Sequence, residues 1–580
     1  MSENTTLNLP QHKDPKPNRT ASAPYNFIPL PDTIVTAVDN ANCLPDHDCY
    51  LPNRRTGYFD ITLTTKSPLY IRCPFTLEEF IREQESNEKS LPFKKQVKNI
   101  PDFFYTEERS KPVIPGSSLR GMLRSLLEIV SYSKMKWVTD EKLLLQKKLF
   151  DKNPLDNVPP ELRRPEDVDY AEAIFGFTRT EKELQSMLQR KIIDRKPKQG
   201  EKGHAYAGRV SVTDACLLGG QQDIWWSSEP ITPKILASPK PTAFQHYLVQ
   251  PDSDKEKLKD YDSDTPEETV IRGHKRYWLQ GERSINDIKE KEGNIKKDST
   301  QHTQFNAIRP GVKFKFRFYF KNLSDNELGA LCWVLRPQGD PDKEYCHQLG
   351  MGKPLGMGAV QLNAQLYIID LTKRYTSLFS DNSWETGISC SGLPLSSGEV
   401  INRYTCKFEE HVLEAVRLKT NQNGSSLKDF ERIGMLLKMM EWPGYPAVCG
   451  PLFLGGSANR PNTRYMNIEP VNEYKERPVL PSPAAFGSLT SDKKPAALKE
   501  KTAKGASIKD VESKLGTFKG KGEVSRFPEV TAVIEKINEP EERRKAARIA
   551  KKWLVDKNLW NKEPHISKDW YNDILKWLEQ

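Results

Sequence analysis

The sequence predicts an α+β protein built on a ferredoxin-like core of the RNA-recognition type, and three observations carry that prediction. Strand-like alternation recurs along the chain, two helices have clear start signals, and the order is strand, helix, strand, strand, helix, strand. Long polar insertions separate these elements, and a helical extension follows them.

The first strand is "GYFDITLTTKSPLYI", starting at Gly57. It alternates apolar with polar residues and is rich in β-branched types, as a half-buried strand requires. In "VIPGSSLRGMLRSLLEIV", Pro115 and Gly116 force a turn, and Ser117 or Ser118 is placed to cap a helix. Leu119, Leu123, Leu126, Leu127 and Val130 then recur on one face. "GRVSVTDACLL" gives the second strand, and "GVKFKFRFYFKNL", alternating aromatic and basic residues, gives the third. Ser324 with Glu327 three residues later forms a capping box that opens the helix "SDNELGALCWVL". "GAVQLNAQLYIID" is the last strand.

These elements set the expected organisation. Residues 1–24 read as a flexible arm, and 25–374 as the core, with insertions at about 72–112, 136–202 and 239–305. A mixed α/β accessory region follows over 375–487. Residues 488–526, rich in Lys, Ala, Gly and Ser, read as a basic flexible linker, and 527–580 as a helical region.

With 580 residues there is room for several domains. Lys and Arg number 88 against 78 Asp and Glu, a net charge of +10 that permits a polyanionic partner without requiring one. No run approaches the roughly 20 apolar residues of a membrane span. The first residues lack the basic-then-apolar layout of a secretory signal, so the expectation is a cytoplasmic protein with no membrane partner. Nine cysteines occur without a CxxC pair, which indicates neither a zinc ribbon nor a disulfide framework. Cys43, His47 and Cys49 lie close together without a second ligand pair, so a metal site and a polar loop both stay open there.

Three motifs offer chemistry. In "HQLGMGKPLGMGAVQL", Gly352 and Lys353 are followed by Pro354, and the stretch runs from a helix into a strand. That context excludes a P-loop, and Gly350, Gly352 and Gly356 miss the dinucleotide spacing. What remains is a tight glycine loop carrying the cation Lys353. It is either a turn needing positive φ or a backbone saddle for a nucleic-acid phosphate. At "IPGSSLRG" the helix N-terminus offers amides from Ser117, Ser118 and Leu119, with Arg120 and Arg124 on one face. That is a phosphate seat or an ordinary capped helix. "IRGHKRYWL" sets Arg272, His274, Lys275 and Arg276 beside Tyr277 and Trp278. Such interleaving suits a polyanion with stackable bases, and equally a strand with snorkelling cations.

The ordered series "VIPGSSLRGMLRSLLE", "AIFGF", "GRVSVTDA", a basic strand and "LGMGKPLGMGAVQL" resembles the RAMP superfamily, the repeat-associated proteins that form the backbone of type III CRISPR effector complexes. The resemblance covers roughly residues 25–370, and the insertions and C-terminal extension make the chain similar to a large type III-D member. It implies a ferredoxin-like subunit that grips the phosphates and sugars of CRISPR RNA, positions target RNA and contacts other effector subunits. Carried over by motif, Gly116, Ser117, Ser118, Arg120, Gly121 and Arg124 form one contact set, and Gly352, Lys353, Gly356 and Gly358 another. Arg272, Lys275, Arg276, Tyr277 and Trp278 join them on chemistry alone.

The resemblance further implies that a subunit of this kind cuts target RNA with an aspartate and a divalent metal, Mg2+ or Mn2+, with no tightly bound cofactor. The corresponding loop here lacks the family's glycine-rich, aspartate-bearing stretch. Asp102 is left for the role, with Asp46 and Asp48 as alternatives, and cleavage by this subunit stays open. Two rival readings are a metal-independent CRISPR RNA-processing endoribonuclease and a purely structural capping subunit. The first would use His204 with Tyr206 or His274 with Lys275.

Overall fold

The computed structural model describes residues 7–39, 41–85, 100–136, 138–145, 148–179, 204–236, 240–295, 301–376, 379–380, 383–388, 392–419, 424–444, 463–467, 472–486, 508–516, 528–535, 537, 540–556, 574–575 and 577–578. The chain divides into two compact units, 1–487 and 488–580.

In the first unit the elements that matter are β1 (Tyr25–Ile28), β2 (Arg55–Thr65), β3 (Val113–Ile114), α1 (Gly116–Val130), α2 (Tyr170–Phe175), β4 (Val210–Val212), β5 (Ala215–Leu217), β6 (His274–Tyr277), β7 (Lys313–Leu323), α3 (Asp325–Leu335), β8 (His347–Gln348) and β9 (Ala359–Ile368). The main sheet runs β8-β9-β2-β7-β5-β3, and β4 pairs with β7 next to β5. Every pairing in it is antiparallel. Counting β4 and β5 as one broken second strand, the spatial order is fourth, first, third, second. The alternation read from sequence sets the register. Phe59, Ile61 and Leu63 of β2 and Phe314, Phe316, Phe318 and Phe320 of β7 all turn to one buried face. α1 and α3 pack against each other, and bury Leu119, Leu123, Leu126 and Leu127 with Leu328, Leu331 and Trp333. Each such side chain removed from water contributes on the order of 1.5–3 kcal/mol.

The capping box that opens α3 forms as the sequence predicts, Ser324 and Glu327 each bonding the other's backbone amide. Glu327 has a second task. Its carboxylate is fully buried and pairs with Arg209 and with Arg54 at 3.0 Å, while Arg209 also donates to the Ala173 and Asn322 carbonyls. Burial alone would raise this carboxyl. Arg209, the Ser324 amide and Arg54 outweigh burial and hold it below the usual carboxylate range.

Three expectations change. Helix α1 begins at Gly116, with Pro115 as its N-cap and no serine cap. The amides of Ser118 and Leu119 bond the Pro115 carbonyl, and the cap comes from Asp214, whose Oδ1 accepts from the Gly116 amide at 2.7 Å. Within the expected flexible arm, residues 7–24 are docked. Leu9, Ala21, Ser22 and Ala23 are buried, and the Ala21 amide bonds the Val479 carbonyl while the Val479 amide bonds Arg19. Backbone pairing, invisible in side-chain pattern, holds the segment; residues 1–6 lie outside the described residues. The accessory region packs onto the core, with α4 (Cys406–Lys419) against α3 and the Trp333 indole bonding Glu409 at 2.8 Å.

The second unit has its own core, formed by α5 (Ile508–Gly516), α6 (Pro528–Glu535) and α7 (Pro540–Asp556) around Val511, Leu515, Val530, Ile534, Ala546, Ala547, Ala550 and Leu554. Helix α5 falls inside the span read as a linker. Its Val511 and Leu515 sit one turn apart and are buried among polar neighbours that dominate the composition.

Candidate nucleic-acid interface

The glycine motif forms the hairpin loop between β8 and β9. Lys353 to Leu355 make one 3-10 turn flanked by Gly352 and Gly356, both left-handed at φ +72° and +84°. The neighbouring glycines are needed for close approach: a Cβ at Gly350 would stand 2.4 Å from the Tyr70 carbonyl. The Gly358 amide is spent on the Pro68 carbonyl at 2.9 Å, and Gly356 and Gly358 are buried. The glycines serve the turn, and the turn holds Lys353 out over a cleft.

That cleft, about 550 Å³, joins parts of all three motifs. Ser118 and Gly121 enter from α1, Lys275, Arg276 and Tyr277 from β6, and Gly350 and Lys353 from the loop, with Arg72 closing one side. Among the described residues no carboxylate lines it. Burial, and then the charge of Arg276, pushes the Lys353 ammonium down to about 8. Burial brings Lys275 down to about 8 and Arg276 down to about 10. Lys275 sits in an aromatic box, its Nζ 4.0 Å from the Tyr25 ring centroid and 3.1 Å from the Tyr247 hydroxyl. Arg72 donates to Thr303 and the Gln304 carbonyl. Half-buried cations around a space that no described carboxylate lines give the cleft a positive potential, a setting that favours an anion.

Other residues of the motifs lie elsewhere. Arg120 donates to the Phe175 carbonyl at 2.5 Å, and Arg124 to the Gly176 carbonyl and Glu128, each at 3.1 Å. They clamp α1 onto the end of α2, which gives "AIFGF" its structural reason, and burial raises Glu128 to about 7 despite Arg124. Gly116 is packed so closely that a Cβ would stand 2.4 Å from the Val212 carbonyl. Ser117 is exposed on the first turn and outside the cleft. Arg272, 5% exposed, bonds the Leu480 and Pro481 carbonyls, and Trp278, 1% exposed, packs on Phe486. Both point into the interior. His274 is buried and lowered to about 3 by burial, then by Arg432 and Arg276. The Tyr206 hydroxyl is committed to the Pro45 carbonyl, and the side chain of His204 lies outside the described residues. Arg72, Met122, Ser125, Gln348 and Met351 also line the cleft and were not singled out from sequence. Arg72 carries a faint signal, as a lone cation just past the first strand.

Asp102 is 18% exposed, paired with Arg109 at 3.2 Å, and its backbone carbonyl takes bonds from the Cys73 amide and the Tyr70 hydroxyl, beside the cleft wall. Asp46 and Asp48 are exposed on a separate loop with Cys43, His47 and Cys49. Among the described residues no three His, Cys, Asp or Glu side chains are grouped to hold a metal ion. Among the described residues, no helix is long and apolar enough to cross a membrane.

No curated protein matches the sequence. The RAMP superfamily profile matches residues 62–361, more than half of the chain, and runs from the end of β2 through α1, the β4–β5 strand, β6, β7 and α3 to the start of β9. The cationic cleft therefore lies in a chain that belongs to the RAMP superfamily, CRISPR-associated proteins that bind RNA.

Proposed function

We infer that the chain is a CRISPR RNA-binding backbone subunit of a type III effector complex, of the large, insertion-bearing type III-D kind, working in the cytoplasm. The single observation that carries this is the cleft lined by Lys275, Arg276, Lys353 and Arg72 and, among the described residues, by no carboxylate. These groups seat guide RNA phosphates, a contact independent of base sequence, and leave the bases to pair with target RNA. The strand order with both helices on one face supports a ferredoxin-like reading of the core.

The experiment is a salt titration of guide RNA binding. Arg276→Ala with Lys353→Ala lowers affinity and reduces the slope of log K against log salt by about 1.4, which is about 0.7 for each single-strand phosphate no longer neutralised. Gly121→Asp places a carboxylate in the cleft, and a Cβ there meets no atom within 4 Å, so it weakens binding without disturbing the fold. Unchanged affinity and slope in both variants would refute the assignment.

A further inference from the structure

The face of the main sheet opposite α1 and α3 carries a pattern that the cleft does not use. Tyr319 of β7, Tyr58 of β2 and Tyr367 of β9 lie in one cross-strand row. The Tyr58 ring is 5.9 Å from Tyr319 and is stacked on Tyr367 at 4.8 Å and 13°. The next rows along the strands are Arg317, Asp60 and Gln365; then Lys315, Thr62 and Asn363; then Lys313, Thr64 and Gln361. Arg317 donates from Nε and Nη2 to the two Asp60 carboxylate oxygens, at 2.7 and 3.2 Å, and its guanidinium lies 4.1 Å from the centre of the Tyr58 ring. Tyr319 is 41% exposed, and Lys313 and Lys315 are exposed.

A solvent-facing sheet row with three aromatic rings is unusual: the exposed positions of a half-buried sheet are normally polar, and tyrosines there leave apolar surface in water. Four rows hold three cations and one carboxylate, so the face also carries net positive charge. Flat rings at strand spacing beside cations match the geometry of a single strand whose bases stack while its phosphates meet lysine. Asp60 fixes the Arg317 guanidinium against Tyr58 and also lies 3.9 Å from the Lys315 ammonium, so one carboxylate faces two of the three cations and the face keeps its net positive charge.

We propose that this open sheet face is a second RNA-binding surface, which takes unpaired single-stranded RNA by stacking a base on the exposed Tyr319, held beside the stacked Tyr58 and Tyr367, with phosphates at Lys315 and Lys313. It uses none of the cleft residues and does not depend on the function proposed for the cleft.

The test uses the full chain and an unstructured RNA oligonucleotide with 2-aminopurine at internal positions. Binding quenches the fluorophore by stacking. Tyr319→Ala reduces the quenching and lowers affinity about tenfold, Tyr319→Phe retains both, and Lys315→Glu lowers affinity with quenching preserved at saturation. Retained thermal melting in each variant shows that the sheet is intact, and Tyr319→Phe keeps the test decisive if the alanine variant misfolds. Undiminished affinity and quenching in Tyr319→Ala and Lys315→Glu overturn the proposal, even where Arg276→Ala with Lys353→Ala binds poorly. A face that instead docks a protein gives variants that assemble badly with partner subunits yet bind the oligonucleotide as wild type does, which also overturns it. Weak binding by the cleft variant alone leaves the cleft reading standing, and weak binding by the sheet variants alone removes it.

Discussion

Replacing Lys353 by Met keeps the stem and deletes only the ammonium, so it isolates one charge in the cleft. Lys353 and Lys275 are each brought down to about 8. A group with that value is about nine-tenths charged at pH 7 and about one-tenth at pH 9. Phosphate beside a lysine favours the ammonium and lifts its pKa, so above pH 8 binding must draw in a proton for each such lysine. If the bound value lies near 10, affinity falls by roughly 20-fold per lysine between pH 7 and 9.5. An oligoadenylate, whose bases do not titrate in that range, is followed by fluorescence anisotropy at fixed ionic strength. Wild type should show the pH dependence of two lysines, and Lys353→Met should bind more weakly at pH 7 with the pH dependence of one. The free protein moves the other way. The folded pKa lies below the unfolded value of about 10.4, so the unfolded state binds more protons in between. Stability of the unliganded chain therefore rises as pH climbs from about 8 toward 10, and Lys353→Met melts no lower than wild type. Wild-type affinity that stays flat from pH 7 to 9.5 would refute the reasoning.

Three other outcomes are expected. Arg209→Met removes the fully buried partner of Glu327 and leaves it paired with Arg54 alone among the described residues, which costs about 3 kcal/mol in urea unfolding. Because the folded Glu327 pKa is depressed, its contribution is complete above the unfolded value of about 4.3 and disappears as pH falls through the folded one. Asp214→Ala uncaps α1 at Gly116 and costs about 1 kcal/mol, read from the urea midpoint. In the assembled complex with Mg2+, alanine at Asp102, Asp46 or Asp48 removes one cut from the target RNA ladder if this subunit cleaves, and a ladder unchanged by all three leaves these carboxylates without a part in cutting.

The strands were legible because period-two patterns are local. "KFKFRFYF" alternates so regularly that β7 and its buried phenylalanines follow directly, and Ser324 with Glu327 sits three residues apart as a capping box does. The cap of α1 was not legible, since its acceptor, Asp214, is 98 residues away. The four-residue spacing of Arg120 and Arg124 was visible, yet their partners are carbonyls of Phe175 and Gly176 brought in by tertiary packing. Arg272 through Trp278 read as one basic-aromatic surface. Folding divides it, with Lys275, Arg276 and Tyr277 kept at the cleft and Arg272 and Trp278, on either side of the strand, sent inward. Composition misled over residues 488–526, where two apolar positions in a polar stretch suffice to dock α5.

The pairing of the chain's early and late segments also sets an order of events during synthesis. β6 carries Lys275 and Arg276 and pairs in register with β1, Tyr25 opposite Tyr277. β1 is in turn held by residues near 480: Asn26 donates to the Pro481 carbonyl, and Val479 exchanges backbone bonds with Arg19 and Ala21. The first strand to leave the ribosome must therefore wait some 250 residues for its neighbour and some 450 for its clasp. A nascent chain that has not yet released residues 479–486 lacks the clasp on β1, the strand against which the Lys275–Arg276 wall of the cleft is paired, so that wall reaches its final form only after nearly the whole first unit has been made.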